Sequence, residues 1–285
     1  MHLKAQGAES TYLLGNIMLS GHFISSEQGN IFITQFGEIA GDTAILCLPS
    51  ITEEMNLARA VVAKQAQDFA NKGVPCFVLD YCGTGDSEGE FEQATTDLWL
   101  EDMLAAGEYL QQKGIAKIIL WGIRFGALLV LSHQEKLHQQ LPIIRQVLWK
   151  PVTHGKLFAG QFLRIKQANA MMNKASGQGE GEKINWREHI LEGNDVEVSG
   201  YLLTKTMLQS MESLQISKDF QPLSPLDWFE LAAKEPTPLT KRLSAPWDDA
   251  IANVHCFDCP PFWQVPEVFS LPDLEQLTSN TVCEK

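Results

Sequence analysis

The stretch ILWGIRFGALLVL, residues 119–131, constrains this chain more than any other segment. An apolar run reaches Gly122, a second glycine stands at Gly126, and Ala127 opens another apolar run of helical length. A strand that turns into a helix within so few residues brings backbones too close for large side chains, which is why glycine flanks the turn. A strand apolar at nearly every position is buried on both faces, as in parallel sheets covered by helices. The same rhythm recurs on either side. Residues 43–48 (TAILCL) form a buried-strand run ending at Pro49, after which Leu57, Val61, Val62, Ala66 and Phe69 share one helical face until Gly73. A strand over 75–79, a helix over 95–113 closed by Gly114, a strand over 115–121, a helix over 125–138 and a strand over 144–149 continue the alternation. Short connections between such units predict an α/β fold: a mostly parallel central sheet with right-handed crossovers and helices on both faces.

The flanks differ. Residues near 12–18 and 31–36 read as short strands joined through serine- and glycine-rich turns, a hairpin at one edge of the sheet. After Pro151 the alternation breaks. Phe158, Phe162, Ile165 and Met172 fall on one face of a helix, and Leu203, Met207, Met211 and Leu214 on one face of another. Between them lies the flexible, polar, glycine-rich SGQGEGEK at 176–183. The pattern predicts a helical cap over 151–215 inserted into a core built from 1–150 and 216–285, or else extra helices covering that core. Residues 227–232 and 251–257 supply the last two strands, and 272–278 the closing helix.

Composition narrows the function. A length of 285 residues with 45% hydrophobic residues suits one large domain carrying an insertion. The net charge of −13 opposes nucleic acid and acidic membrane surfaces, and no Lys/Arg cluster offsets it. Residues 1–21 lack the basic, apolar and small-residue succession of a secretory signal, and the apolar stretch 118–131 is interrupted by Arg124 and too short to span a bilayer. A cytoplasmic protein without stable membrane insertion is expected, its six cysteines reduced. Cys256 and Cys259 have redox-type spacing, but outside a strand-to-helix junction that pattern is weak. Neither a cofactor nor a metal is expected.

In α/β hydrolases a G-x-S-x-G turn between strand and helix presents the nucleophile at the top of the sheet. Here the middle position is Arg124, a permanent cation that cannot attack a carbonyl. The companions are missing as well. The loop after the last strand reads Cys259-Pro260-Pro261-Phe262-Trp263 where a catalytic histidine is expected, and His255 falls within the strand. Glu230 or Glu235 stands near the position of the catalytic acid, His154 is the nearest candidate base, and His133 and His138 lie on the helix after the turn. Glu53 and Glu54 occupy the loop where an oxyanion needs donors rather than carboxylates. They are instead natural partners of Arg124, because a buried arginine left alone costs on the order of several kcal/mol. Arg59, one turn further, competes for them. Gly83 and Gly85 form a glycine-rich turn without the lysine of a phosphate cradle, and Cys82 beside it is a thiol with no evident histidine partner.

Pro49…Glu53-Glu54-Met55-Asn56, Asp80…Gly83-x-Gly85-Asp86-Ser87, Leu98-Trp99-Leu100-x-Asp102, Trp121-Gly122-Ile123-Arg124-Phe125-Gly126-Ala127, Leu148-Trp149-x-Pro151-Val152 and Pro261-Phe262-Trp263 occur in that order. Together they resemble the exosortase A system-associated hydrolase family, second type, over most of the chain from about residue 43. The resemblance implies an α/β-hydrolase fold with arginine at the elbow. It also implies association with bacterial exopolysaccharide loci and the sorting of proteins bearing a PEP-CTERM signal. It carries over no catalytic residue, and a hydrolase label resting on fold does not establish activity.

Three readings stay open. As an enzyme, the protein is a hydrolase or acyl-transfer protein acting on an ester, thioester or amide. Glu54 or Glu53 is then the general base, and Arg124 holds a substrate carboxylate or phosphate with Asn56, Phe125 and Trp263 around it. As a catalytically inactive pseudo-hydrolase, it binds a small acyl- or glycan-related molecule, or a protein partner of the exopolysaccharide system. As a purely structural feature, Arg124 is a salt-bridged staple. A bidentate glutamate pair on Arg124 with no cavity beside it argues against the first. An open pocket faced by Arg124 and a carboxylate argues for ligand binding.

Overall fold

The strand runs meet in one nine-stranded sheet in the computed structural model, which describes residues 10–14, 17–175 and 184–283. Its strands are β1 (Ser10–Leu14), β2 (Ile17–Ser26), β3 (Gly29–Phe36), β4 (Thr43–Leu48), β5 (Cys76–Asp80), β6 (Lys117–Ile123), β7 (Ile143–Trp149), β10 (Leu226–Leu231) and β11 (Ala252–Phe257). A separate hairpin joins β8 (Val196–Val198) to β9 (Tyr201–Leu203). The order across the sheet is β1-β2-β3-β5-β4-β6-β7-β10-β11. The pairings of β1 with β2, β2 with β3 and β3 with β5 are antiparallel. From β5 through β4, β6, β7 and β10 to β11 every pairing is parallel. The predicted, mostly parallel α/β architecture is what forms.

Alternating side chains divide the core into two layers. Ala44, Leu46 and Leu48 of β4 face one way and Ile45 and Cys47 the other; Ile118 and Leu120 of β6 part in the same manner from Ile119, Trp121 and Ile123. One layer is closed by α1 (Thr52–Asn71) and α9 (Pro272–Cys283). The other is closed by α2 (Thr96–Gln112), α3 (Phe125–Ser132) and α4 (Gln134–Gln140). Between β7 and β10 the chain inserts α5 (Gly155–Ala175), α6 (Trp186–Leu191), the β8–β9 hairpin and α7 (Lys205–Ser213), which pack on that second layer. The short α8 (Pro238–Ser244) links β10 to β11.

Several local expectations change. The helix expected over 125–138 is two helices, because His133 leaves helical geometry (φ −114°, ψ 14°). α3 buries residues 125–131, whereas α4 buries only Leu137, so the chain bends where its burial pattern changes. The expected edge hairpin is a three-strand antiparallel unit, since β2 fills ten residues that serine and glycine made look like a turn. The inserted segment is not purely helical. Leu203 ends β9 rather than lying on a helix, and three-residue strands are too short to display a period. Ile165 is 38% exposed and leaves the face shared by Phe158 and Phe162. The stretch 176–183 and the side chain of Met172 lie outside the described residues.

Candidate functional site at the strand-to-helix elbow

The turn between β6 and α3 adopts strained backbone geometry. Arg124 sits at φ 53°, ψ −111°, a conformation costing a non-glycine residue about 1–3 kcal/mol. Its neighbours hold it there: Arg124 N donates to Trp149 O at 2.9 Å, and Arg124 O accepts from Val152 N at 3.2 Å. A methyl group on Gly126 would collide with the carbonyl oxygens of Leu48 and Pro49, so the β4–α1 loop lies directly on the turn.

The arginine side chain points into this junction and is enclosed. Arg124 is 7% exposed. Its Nε donates to Glu54 Oε2 at 3.1 Å and its Nη2 to Glu54 Oε1 at 2.8 Å, a bidentate pair. Nη1 donates to Lys150 O at 3.3 Å, and the guanidinium carbon lies 5.1 Å from the centre of the Trp263 ring. Ser50 Oγ donates to Glu54 Oε2 at 2.9 Å and fixes the carboxylate from its other side. Glu54 falls in the first turn of α1, where the helix dipole favours a negative charge.

The other acidic and histidine candidates hold partnerships of their own. Glu230, at the end of β10 and 3% exposed, binds Lys150 Nζ at 2.7 Å, Trp228 Nε1 at 3.0 Å and Thr240 Oγ1 at 2.8 Å. Glu235 pairs with Lys241 at 3.1 Å on the surface. His255 Nε2 meets Asp227 Oδ1 at 2.9 Å and stacks on Phe229, while Arg145 takes the other oxygen of Asp227 at 2.6 Å. His154 Nδ1 meets Thr153 Oγ1 at 2.9 Å, and His138 binds Ser224 Oγ at 3.0 Å. Burial pushes the Cys82 thiol far above its ordinary range, which opposes a thiolate nucleophile.

Glu54, Arg124 and Trp263 therefore come together. Asn56 instead donates to Tyr201 Oη at 2.8 Å and ties α1 to β9, and Glu53 lies beside them without reaching the arginine. Phe125 is fully buried, packed between Trp99 (6.0 Å between ring centres) and Phe158 of α5 (4.8 Å). Aromatic side chains thus fill the space directly behind the turn.

An open pocket of about 210 Å³ borders this cluster on the α1 side. Pro49, Ser50 and Ile123 supply its wall at the strand ends, Met55 and Arg59 its α1 wall, and Asp80 its far end. Ser50 belongs to both the pocket and the Glu54 network. Sequence patterns put Arg59 in competition for Glu54; its Nη2 lies 3.5 Å from Asp80 Oδ1 instead. Asp80 was overlooked, though a carboxylate ending a buried strand before a Gly-x-Gly turn is a signal of its own. Asp80 Oδ2 also accepts from Asp86 N at 3.0 Å. Burial raises the Asp80 carboxyl above its ordinary 3.8, with Arg59 and the Asp86 amide opposing the rise. Because the folded value is the raised one, the stability it contributes is full below the ordinary range and is lost as pH climbs through the folded value. Asp80→Asn is expected to remove that loss, so that urea midpoints of the variant gain on the wild type from about pH 4 towards neutrality. A difference constant with pH contradicts the assignment.

Among the described residues no group of His, Cys, Asp and Glu is arranged to hold a metal ion, and no helix is long and apolar enough to cross a membrane. No family model and no curated protein sequence matches the chain. Solved structures do. Est1E of Butyrivibrio proteoclasticus, solved with ferulic acid bound, matches with a TM-score of 0.61 at 16% identity, over 92% of this chain and 98% of its own. The esterase EaEST of Exiguobacterium antarcticum matches at 0.58 and 15% identity, over 92% and 98%. The chain has the α/β-hydrolase fold. Mouse alpha/beta hydrolase domain-containing protein 10 shares it at 0.52 and 13% identity, over 97% and 98%. In this α/β-hydrolase fold β6 turns directly into α3, and Arg124 occupies the tip of that turn.

Proposed function

We propose that this is an α/β-hydrolase-fold protein in which ligand binding has replaced serine hydrolysis. The bidentate pair of Arg124 with Glu54 carries that reading. It occupies the side chain at the nucleophile position and both oxygens of the nearest carboxylate, leaving Glu54 poorly placed to act as a base. The pocket beside it, below the common size of small-molecule sites, has their chemical make-up, apolar with a few polar groups, Ser50, Arg59 and Asp80, and suits a small ligand. Its ligand is a small acyl- or glycan-related molecule bearing a polar head. In keeping with the motifs shared with the exosortase-associated family, the protein acts in the cytoplasm on the exopolysaccharide and PEP-CTERM sorting side, alone or with a protein partner of that system.

Hydrolysis or acyl transfer without a serine is the competing reading, favoured by one observation. Asp80 combines burial, a raised pKa and a place in the pocket, the attributes of a general base. Screening acyl esters, thioesters and phosphoesters separates the two. No turnover above blank is expected from the wild type, while pocket-sized acyl compounds raise its melting temperature. Turnover abolished by Asp80→Asn, or by Arg124→Ala or Glu54→Gln, would establish the enzyme instead.

A further inference from the structure

A second cleft, of about 500 Å³, opens where the chain leaves β7 and β10. One wall is the segment 153–155, tied to 214–216 by Gly155 N to Leu214 O at 2.9 Å and Ile216 N to Thr153 O at 3.0 Å. The other wall is α8, capped by Thr237 and held to the sheet by Thr240 on Glu230. Both walls are therefore built from fixed backbone. Ile216 and Leu243, each nearly inaccessible, form the floor with half-buried Leu239. The rim is basic: His154, Lys218 and Arg242.

Two of these cations differ from their neighbours in having no carboxylate partner among the described residues. Lys150 and Lys241 nearby are neutralised by Glu230 and Glu235. Lys218 and Arg242 pair with no carboxylate among the described residues, and Arg242 meets only Pro238 O of its own helix. Asp219, the next residue after Lys218, lines the neighbouring crevice rather than this one. His154 Nδ1 is engaged by the Thr153 hydroxyl, which leaves Nε2 for a ligand. On a chain of net charge −13, two uncompensated cations beside an apolar floor mark a place where an anion is locally favoured. The cleft also lies at the carboxyl ends of adjacent parallel strands, where open α/β sheets hold their ligands.

We propose that this cleft binds an amphiphilic anion: an alkyl or acyl chain lying on Ile216, Leu239 and Leu243, with a carboxylate or phosphate head against Lys218 and Arg242. Its volume falls in the range of about 300–1,000 Å³ common to small-molecule sites. A guanidinium suits either head because both offer paired oxygens. The site is separate from the pocket under α1 and does not depend on what that pocket binds.

Calorimetric titration of the full chain with octanoate, octyl phosphate and octyl glucoside tests it. Both anions are expected to bind, the uncharged glucoside about 10-fold more weakly, as loss of a charged hydrogen bond implies. Added salt weakens the anions and not the glucoside. Lys218→Ala/Arg242→Ala, two exposed positions, lowers anion affinity about 10-fold or more. Ala63→Phe, which fills the pocket under α1, leaves it unchanged. A preference for one anionic head supports the proposal and identifies that head. Equal binding of the glucoside, anion binding that survives the double substitution, loss with Ala63→Phe, or no saturable binding each overturns it.

Discussion

Glu54→Ala is expected to destabilise the protein by about 3 kcal/mol, although it removes a side chain from the edge of the molecule rather than its centre. The reason lies with the partner left behind. Arg124 is held by its backbone at the tip of the elbow and cannot swing into water, so its guanidinium would stay enclosed beside Trp263 with only Lys150 O for company. Uncompensated buried charges cost about 3–5 kcal/mol, and the partial exposure of Glu54 places this pair at the lower end. Removing both charges in Arg124→Met/Glu54→Met is expected to leave stability within about 1 kcal/mol of the wild type, since a well-packed apolar pair often equals a buried ion pair. Urea unfolding of Glu54→Met, Arg124→Met and the double gives the coupling directly. If the double falls by the sum of Glu54→Met and Arg124→Met, the pair is not coupled, and the elbow is held by other contacts.

Gly126→Ala is the second large effect, again about 3 kcal/mol at the upper end of overpacking costs. The added methyl meets backbone, the carbonyls of Leu48 and Pro49, and backbone cannot rotate away. Either the β4–α1 loop moves, taking Ser50 and Glu54 from Arg124, or the elbow opens. Gly160→Ala is the matched control. It lies within α5 with nothing within 4 Å of the new methyl, so helix propensity alone predicts a gain of up to about 1 kcal/mol. Thermal unfolding of both variants decides the matter, and similar melting temperatures would mean that the loop is not pressed on the turn.

Both effects arise at one strained turn. In a hydrolase the elbow presents a nucleophile. Here the same geometry holds a cation inward, where Glu54 from the next loop, the Lys150 carbonyl and the Trp263 face complete its coordination. Strain of about 1–3 kcal/mol persists because the surrounding parallel strands and the α3 start define the path of the chain.

The primary structure alone determined the sheet and the turn. Runs such as 44–48 and 118–121 are apolar at successive positions, as in a doubly covered parallel strand, and between such a strand and an apolar helix the Gly122–Gly126 spacing marks a tight junction. The charge carried by Arg124 also required an acidic partner, and Glu54 was one of two carboxylates in the loop expected after residues 43–48; the structure places both in the first turn of α1. Tertiary structure decided which. Successive helical residues project about a quarter-turn apart, so Glu54 meets the arginine while Glu53 lies beside Asn56 and Tyr201. It decided as well that Arg59 turns to Asp80, that His255 belongs to Asp227, and that Glu230 serves Lys150. None of these pairs is near in sequence. Each exists because parallel strands bring distant segments to one edge of the sheet, and local patterns carry no record of which charges will meet there.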